Sequence, residues 1–573
     1  MHDLHDDPAL ALGDTLIRSR LWDLTMKGAS GKGRQVVTPD FDYIIVGAGA
    51  AGSVLANRLS EDPNNNVLLL EYGGHDWNPL IYVPKGFYYT LRGELYAYHY
   101  STQPAGPRGQ REVWTRGKGL GGSTAVNGMM WTRGAAADWD GLEARGNPGW
   151  KWERALAAYR TIEDHNLGAS DLRGAGGPLG VSVVEEDDEV VQAILAAAQS
   201  IGWEHVADTN AYDSERIGFS PSTIRHGVRT TAYSAFVRPI HRRRNLTVVT
   251  RTRASRLVFD GGRVVGVWAS KGGQPVEYRA RKEVIVSAGT IESPLLLERS
   301  GIGNPDVLRR AGIDVGVESP NVGERVIEQR GVEIQVRLKR NIGQTQQLNT
   351  LPKQAWQGLK YLFTHNGPIS TSSYDLISQF KSSPDLDRPD IQGVITPMAL
   401  DTSSPNLKLA KHSGILIEAY QMRPSTTSSI HVGGRLPRNA PIINSRFLED
   451  DGDRKATAPV LGILRELFAT NPLSDYVLAE DFPGLTVSSS DDALRYALET
   501  GSGIAHAVGS CAMGPNSDDV VDAQLRVRGV TGLRVVDASV LPVQVAGNSQ
   551  APTMAVAWIA ADLILDGSNG GAS

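Results

Sequence analysis

The chain has 573 residues, a formal net charge of −5, 41% hydrophobic and 21% charged residues, and one cysteine, Cys511. That length is more than one ordinary core needs, so two domains or one large domain with insertions is expected. The charge balance argues against a general nucleic-acid binder, the lone cysteine excludes an internal disulfide framework and a multi-cysteine metal site, and no apolar run is long enough for a transmembrane segment.

Residues 1–39 form an N-terminal arm and linker ahead of the first strand signal. Their opening, MHDLHDDPALALGD, is acidic and lacks a basic stretch followed by an apolar core. No signal peptide is expected, and the cytoplasm is the expected compartment. Residues 17–26 have the spacing of a short amphipathic helix, and KGASGKGRQ reads as a flexible linker. A buried parallel strand is expected over 43–46, where β-branched and apolar residues run together. Gly47, Gly49 and Gly52 follow in G-x-G-x-x-G spacing around Ala50 and Ala51. The first glycine permits a tight turn, the second a close backbone approach to a pyrophosphate, and the third close helix packing. A helix over 53–59 would place its N-terminal N–H groups on that pyrophosphate. A second buried strand is expected over 67–70, and Glu71 ends it, at the spacing of a carboxylate on a ribose hydroxyl. An acid there disfavours a ribose 2′-phosphate, which argues against NADP and leaves NAD and FAD open.

The stretch 116–130, RGKGLGGSTAVNGMM, comes next. Gly119, Gly121, Gly122, Ser123 and Thr124 are too small and too close together for a packed helix or strand. Such a loop lets backbone approach a large planar or phosphorylated ligand. The basic run HRRRN at 241–245 reads as a solvated loop. Strands are expected over 390–400, 414–424 and 428–434, suited to an antiparallel sheet. His506 follows among small residues in SGIAHAVGSCAMG, and Asn548 sits after Gly547 ahead of a helix expected over 553–565. Read alone, the first is a core histidine satisfied by hydrogen bonds and the second a turn residue. Cys511 reads as a small buried residue. The tail 567–573 is expected to be unstructured.

The strings DYIIVGAGAAGSVLANRLSED, GKGLGGSTAVNGMMWTRG, VIVSAGTIESPLLLERSGIG, NVGERV, HAVGSCAMG and GVTGLRVVDASVLPVQVAGNSQAPTMAVAWIAADLI occur in this order between Phe41 and about Asp566. Together they resemble the glucose-methanol-choline (GMC) family of FAD oxidoreductases. The resemblance implies an α/β fold of two domains: a Rossmann-like FAD-binding domain and a substrate domain built on an antiparallel sheet. It implies FAD binding by 40–155, 225–330 and 500–573, with the substrate domain formed by 156–224 and 331–499. Glu71 would take the adenosine ribose, and the backbone at Ala254 the adenine. The glycine loop would wrap the pyrophosphate, with Asn127, Gly128, Met129 and Met130 along the flavin. Asp537 and Ala538 would meet the phosphate–ribityl region, although Asp537 also reads as a cap after a strand. Members that bind FAD covalently use a histidine where this chain has Val126, so non-covalent FAD is expected. No metal is implied.

By the same resemblance His506 is the general base and Asn548 its partner, and the chain oxidises an alcohol to an aldehyde or ketone by hydride transfer to flavin N5. A neutral imidazole can take the hydroxyl proton, and an amide N–H can steady the developing alkoxide. A hydroxynitrile lyase, other atypical GMC chemistry, or a flavin-binding redox partner without its own substrate are the alternatives. Choline-specific members carry a carboxylate where this chain has Gly331, with Glu333 nearby, so a neutral alcohol is expected. Trp131, Tyr374 and Phe380 are candidates for an aromatic lining. O₂ and a quinone-type acceptor both stay open for reoxidation, with a dehydrogenase favoured. Oligomeric state is not legible.

Overall fold

The computed structural model describes residues 40–185, 187–401 and 408–569. The arm, with its expected helix over 17–26, lies outside them.

Two sheets organise the chain. The first has a parallel centre, Leu246–Val249, Val67–Leu70, Phe41–Val46, Gln274–Val286 and Leu533–Val535 side by side, and a meander, Thr252–Asp260 and Arg263–Lys271, on the long fourth strand. Phe41–Val46 and Val67–Leu70 are buried along their whole length, as strands covered on both faces must be. The helix Ala50–Leu59 starts earlier than expected and packs against Gln550–Asn569. Arg58 lies 4.3 Å over the Trp558 ring and 3.0 Å from Asp562 across that contact. The final helix is apolar on most of its circumference and correspondingly buried. It begins two residues before Pro552, since proline is tolerated in a first helical turn, and it runs to Asn569, inside the tail expected to be unstructured.

The second sheet runs Val477–Phe482, Gly331–Leu338, Gly414–Gln421, Ile391–Thr396, Leu376–Phe380, Arg216–Phe219 and Glu204–His205, antiparallel except for the last pair. Ser429–His431, expected among these strands, instead pairs with Ile442–Asn444 as a separate hairpin. Each sheet carries its own apolar core. The helix Trp152–Ile162 buries Ala155, Ala158, Tyr159 and Ile162 in the first core, joined by Leu179 and Val181. The expected boundary between 155 and 156 therefore cuts a helix, and the first core reaches past it to about Val181.

Candidate active site

A cavity of about 480 Å³ is lined from both sheets. Of the residues expected at the site, all but Gly52, Gly119 and Gly121 line it. Those three act one step behind its wall. A side chain at Gly52 would meet the Gly47 carbonyl at 1.9 Å, so this glycine lets the helix close on the turn. The N–H of Gly121 donates to Ala48 O at 2.9 Å, and that of Gly119 to Glu71 Oε1 at 3.1 Å.

At one end the backbone forms a cradle. Gly47 has φ +109°, and a Cβ there would stand 2.4 Å from Ser287 O. Gly122, at φ +53°, would meet Gly49 Cα at 2.7 Å. Only glycine allows both the conformation and the approach. The helix Ala50–Leu59 has no side-chain cap and no acid in its first turn, so its leading N–H groups are available to an anion. Glu71 accepts from the N–H groups of Ala48, Gly73 and Gly119. Burial pushes its carboxyl up in pKa, and those three donors oppose the rise. Buried Ser287 Oγ and Gln550 Nε2, on cavity-lining residues, have no hydrogen-bond partner among the described residues. Glycine contacts, free helix N–H groups, a carboxylate and unpaired polar atoms suit a dinucleotide such as FAD. The Asp537 carboxylate is engaged as a cap: it accepts from Gly289 N at 2.8 Å, Ser293 Oγ at 2.6 Å and Ser539 N at 2.8 Å. Val126 is buried beside Ile81 and Ala125. Cys511 is fully buried, and burial raises its thiol pKa well above the usual range.

At the other end stand His506 and Asn548. His506 Nδ1 lies 2.8 Å from Gln329 Oε1, and Nε2 lies 3.0 Å from Asn548 Nδ2. Gln329 Nε2 donates to Met422 O at 2.9 Å, which turns its oxygen toward the imidazole. Asn548 Oδ1 accepts from Gln392 Nε2 and from Thr132 Oγ1, both at 3.1 Å, which turns its nitrogen toward the imidazole. The two amides thus assign the tautomer: the proton is on Nδ1 and the lone pair on Nε2. Burial pushes the imidazole pKa down to about 3, and the Arg116 guanidinium adds to the fall. The ring is neutral at physiological pH. Glu328 holds the segment in place, accepting from His506 N at 2.9 Å and Ala507 N at 3.0 Å while pairing with Arg116 at 3.3 Å. Ala505, just before the histidine, has φ +65°, a left-handed conformation that a non-glycine residue keeps only when its surroundings impose it.

The second sheet supplies the facing wall. Its register sets Tyr420 opposite Gly331 and Gln392, and Glu418 opposite Glu333 and Val394. Tyr420 meets the His506 ring edge-on at 5.9 Å between centroids. Glu418 accepts from Tyr374 Oη at 2.8 Å. Burial raises both carboxyls, and for Glu333 the neighbouring Glu418 adds to the rise. A side chain on Gly331 would stand 2.6 Å from Glu418 Oε1. The cavity therefore has a carboxyl at the place where Gly331 led us to expect none. Of the expected aromatic lining only Tyr374 faces the cavity. Trp131 is fully buried and donates to Glu163 at 2.7 Å, and Phe380 stacks on Trp203 in the second core.

Sequence reasoning did not single out Gln329, Gln392, Thr132, Glu328 or Glu418. A signal existed for two of them. Gln392 and Glu418 interrupt strands that are otherwise apolar, in DIQGVIT and GILIEAY, and a buried polar residue is more informative than a buried apolar one.

Known proteins match the chain along most of its length. A family model described as GMC oxidoreductase matches residues 41–329, and a second of the same description matches 424–557. Mitochondrial choline dehydrogenase of Mus musculus is 34% identical over 537 residues, spanning 92% of this chain and 89% of the relative. Alcohol dehydrogenase [acceptor] of Pseudomonas putida is 32% identical over 530 residues, spanning 92% and 96%. Among solved structures, pyridoxine 4-oxidase from Mesorbium loti superposes with a TM-score of 0.82 at 28% identity, spanning 91% of this chain and 99% of that one.

Proposed function

The chain belongs to the GMC family, FAD oxidoreductases acting on CH–OH donors, and on that premise we propose that His506 is its general base and Asn548 the group that orients the substrate hydroxyl. The observation that carries this is the fixed tautomer: Gln329 holds the proton on Nδ1 and leaves the Nε2 lone pair beside Asn548 Nδ2. A substrate hydroxyl entering between them donates to Nε2 and accepts from the amide N–H. As the carbonyl forms, the hydroxyl proton moves to Nε2 and the amide N–H steadies the charge on oxygen. Bound FAD supplies, at N5, the acceptor for the hydride that leaves the same carbon. The low imidazole pKa has a consequence here. At physiological pH Nε2 carries a lone pair rather than a proton, so it can accept the hydroxyl proton.

We assign the cofactor to the cradle end. Gly47, Gly49 and the start of the helix Ala50–Leu59 would receive the pyrophosphate, and Glu71 the ribose. Ala254 would meet adenine, and Asn127, Gly128, Met129 and Met130 would run along the flavin, with Asp537 and Ala538 toward the ribityl chain. Attachment is non-covalent, since the side chain at 126 is valine. FAD thus rests on the first core, and the substrate lies against the second sheet.

Glu418 revises the expectation of a neutral alcohol. It stands two residues from Tyr420 on the same strand face, about 7 Å along the strand from the ring that touches His506. The substrate we favour carries a positive charge or a hydrogen-bond donor at that distance from its reacting hydroxyl. Reoxidation is assigned to an external acceptor rather than O₂, by likeness to the relative named alcohol dehydrogenase [acceptor].

Anaerobic mixing of the flavin-loaded enzyme with a panel of cationic and neutral alcohols tests the reading. Bleaching of flavin absorbance is expected. Cleavage of cyanohydrins without bleaching would place the enzyme among lyases instead.

A further inference from the structure

The helix Leu351–Thr364 is turned the wrong way for an ordinary surface helix. At about 100° per residue, Leu351, Ala355, Trp356, Leu359, Leu362 and Phe363 fall in one arc of about 140°. That arc faces solvent: Leu351 is 80% exposed, Trp356 64%, Leu362 71% and Phe363 83%. The opposite side holds the helix down. Tyr361 is buried, and its hydroxyl donates to Gly227 O at 2.9 Å, with Tyr82 O 3.4 Å away. Lys353 and Lys360 sit just past the arc on the Trp356 side. The helix carries no acid of its own, and no Asp or Glu occurs in the sequence between Glu333 and Asp375; of the cations in that stretch Arg337 and Arg340 are paired with Asp481 and Glu189, which leaves Lys353 and Lys360 as the charges beside the arc.

The position is also informative. The segment beneath, which carries Tyr82, sends Phe87 and Leu91 into the cavity wall and leaves Leu80 and Tyr89 exposed. Through its buried side the helix is thus tied to a segment that lines the reaction cavity. No helix of the described residues is long and apolar enough to cross a membrane, and this one has only 14 residues. An apolar arc with Trp and Phe, edged by lysines and free of acids, has the composition of a helix that lies in a lipid interface. Its cations match anionic headgroups.

We propose that the helix Leu351–Thr364 lies flat on an anionic lipid bilayer, its apolar arc in the headgroup–acyl boundary. The inference stands on this surface alone and is independent of the roles assigned to His506 and Asn548.

Co-sedimentation of the full-length, flavin-loaded chain with vesicles tests it. Binding is expected to vesicles of phosphatidylcholine and phosphatidylglycerol, and to weaken with added salt and with phosphatidylcholine alone. Trp356→Ser with Phe363→Ser, both on exposed side chains, should lower that binding by about ten-fold or more while flavin content and the rate with a soluble alcohol and dye stay unchanged. Lys353→Gln and Lys360→Gln should each lower binding to the anionic vesicles by about five-fold at low salt and leave binding to phosphatidylcholine alone unchanged. Three results would overturn the proposal. The wild type fails to sediment with either vesicle. The double apolar variant binds as the wild type does, which would move the contact to the N-terminal arm or another surface. Or the wild type is a dimer in sedimentation velocity and the double variant a monomer, which would make the arc a contact between copies.

Discussion

Gln329 offers the sharpest test of how the base is prepared. It is fully buried, touches no substrate in this account, and acts only through the imidazole. Gln329→Leu removes the acceptor of the Nδ1 proton. A buried donor left without a partner costs about 1–3 kcal/mol. If that cost falls on the productive tautomer and ring orientation, flavin reduction slows by roughly five- to 150-fold, at 1.36 kcal/mol per factor of ten. Gln329→Glu separates this from a general loss of packing. It keeps an acceptor for Nδ1 but adds negative charge beside it, which favours the imidazolium. In the wild type, burial holds His506 down to about 3, so the acid limb of kcat/KM should lie well below the ordinary imidazole value of about 6.5. In Gln329→Glu the limb should move up toward neutral pH, and the reduction rate above it should exceed that of Gln329→Leu. The assay is anaerobic stopped-flow reduction of bound flavin across pH, with flavin content measured in parallel. Gln329→Leu reducing at the wild-type rate with an unchanged pH profile would refute the tautomer argument.

Two further outcomes follow from the site. Glu418→Gln keeps the shape and a hydrogen-bond partner for Tyr374 but cannot ionise against a bound cation, so KM should rise more for cationic than for neutral alcohols while kcat changes little; equal effects on both classes would remove Glu418 from substrate recognition. With valine at 126 the flavin has no covalent tether, so acid precipitation should leave a colourless pellet and a yellow supernatant, and a yellow pellet would contradict this.

The local parts of the fold and its two-sheet architecture were legible, and the side chains that strand register brings to the site were not. Phe41–Val46, the glycine turn and Glu71 lie within a few dozen residues, and each has a backbone reason to be there. The substrate wall depends on strand register. Nothing in the string around Gly331 says that its neighbour across the sheet is Tyr420, or that the space beside it holds Glu418. The missing carboxylate was therefore inferred correctly in sequence and wrongly in space. The same holds for the base. His506 and Asn548 were named by resemblance, but the amides that orient them come from residues 329 and 392, on other segments of the chain. The approximate boundary at 155/156 falls inside the amphipathic helix Trp152–Ile162, which turns its buried side to the first core.

The central claim is that His506 takes the substrate proton while flavin takes the hydride. The most direct measurement is the rate of anaerobic flavin reduction by one alcohol in wild type and His506→Ala, at equal flavin loading, with Asn548→Ala beside them. The account predicts a loss of roughly 10²–10⁴-fold for His506→Ala, the usual worth of a positioned general base, and a smaller loss for Asn548→Ala, which gives up one hydrogen bond. A His506→Ala enzyme that keeps its FAD and bleaches at near the wild-type rate would contradict it.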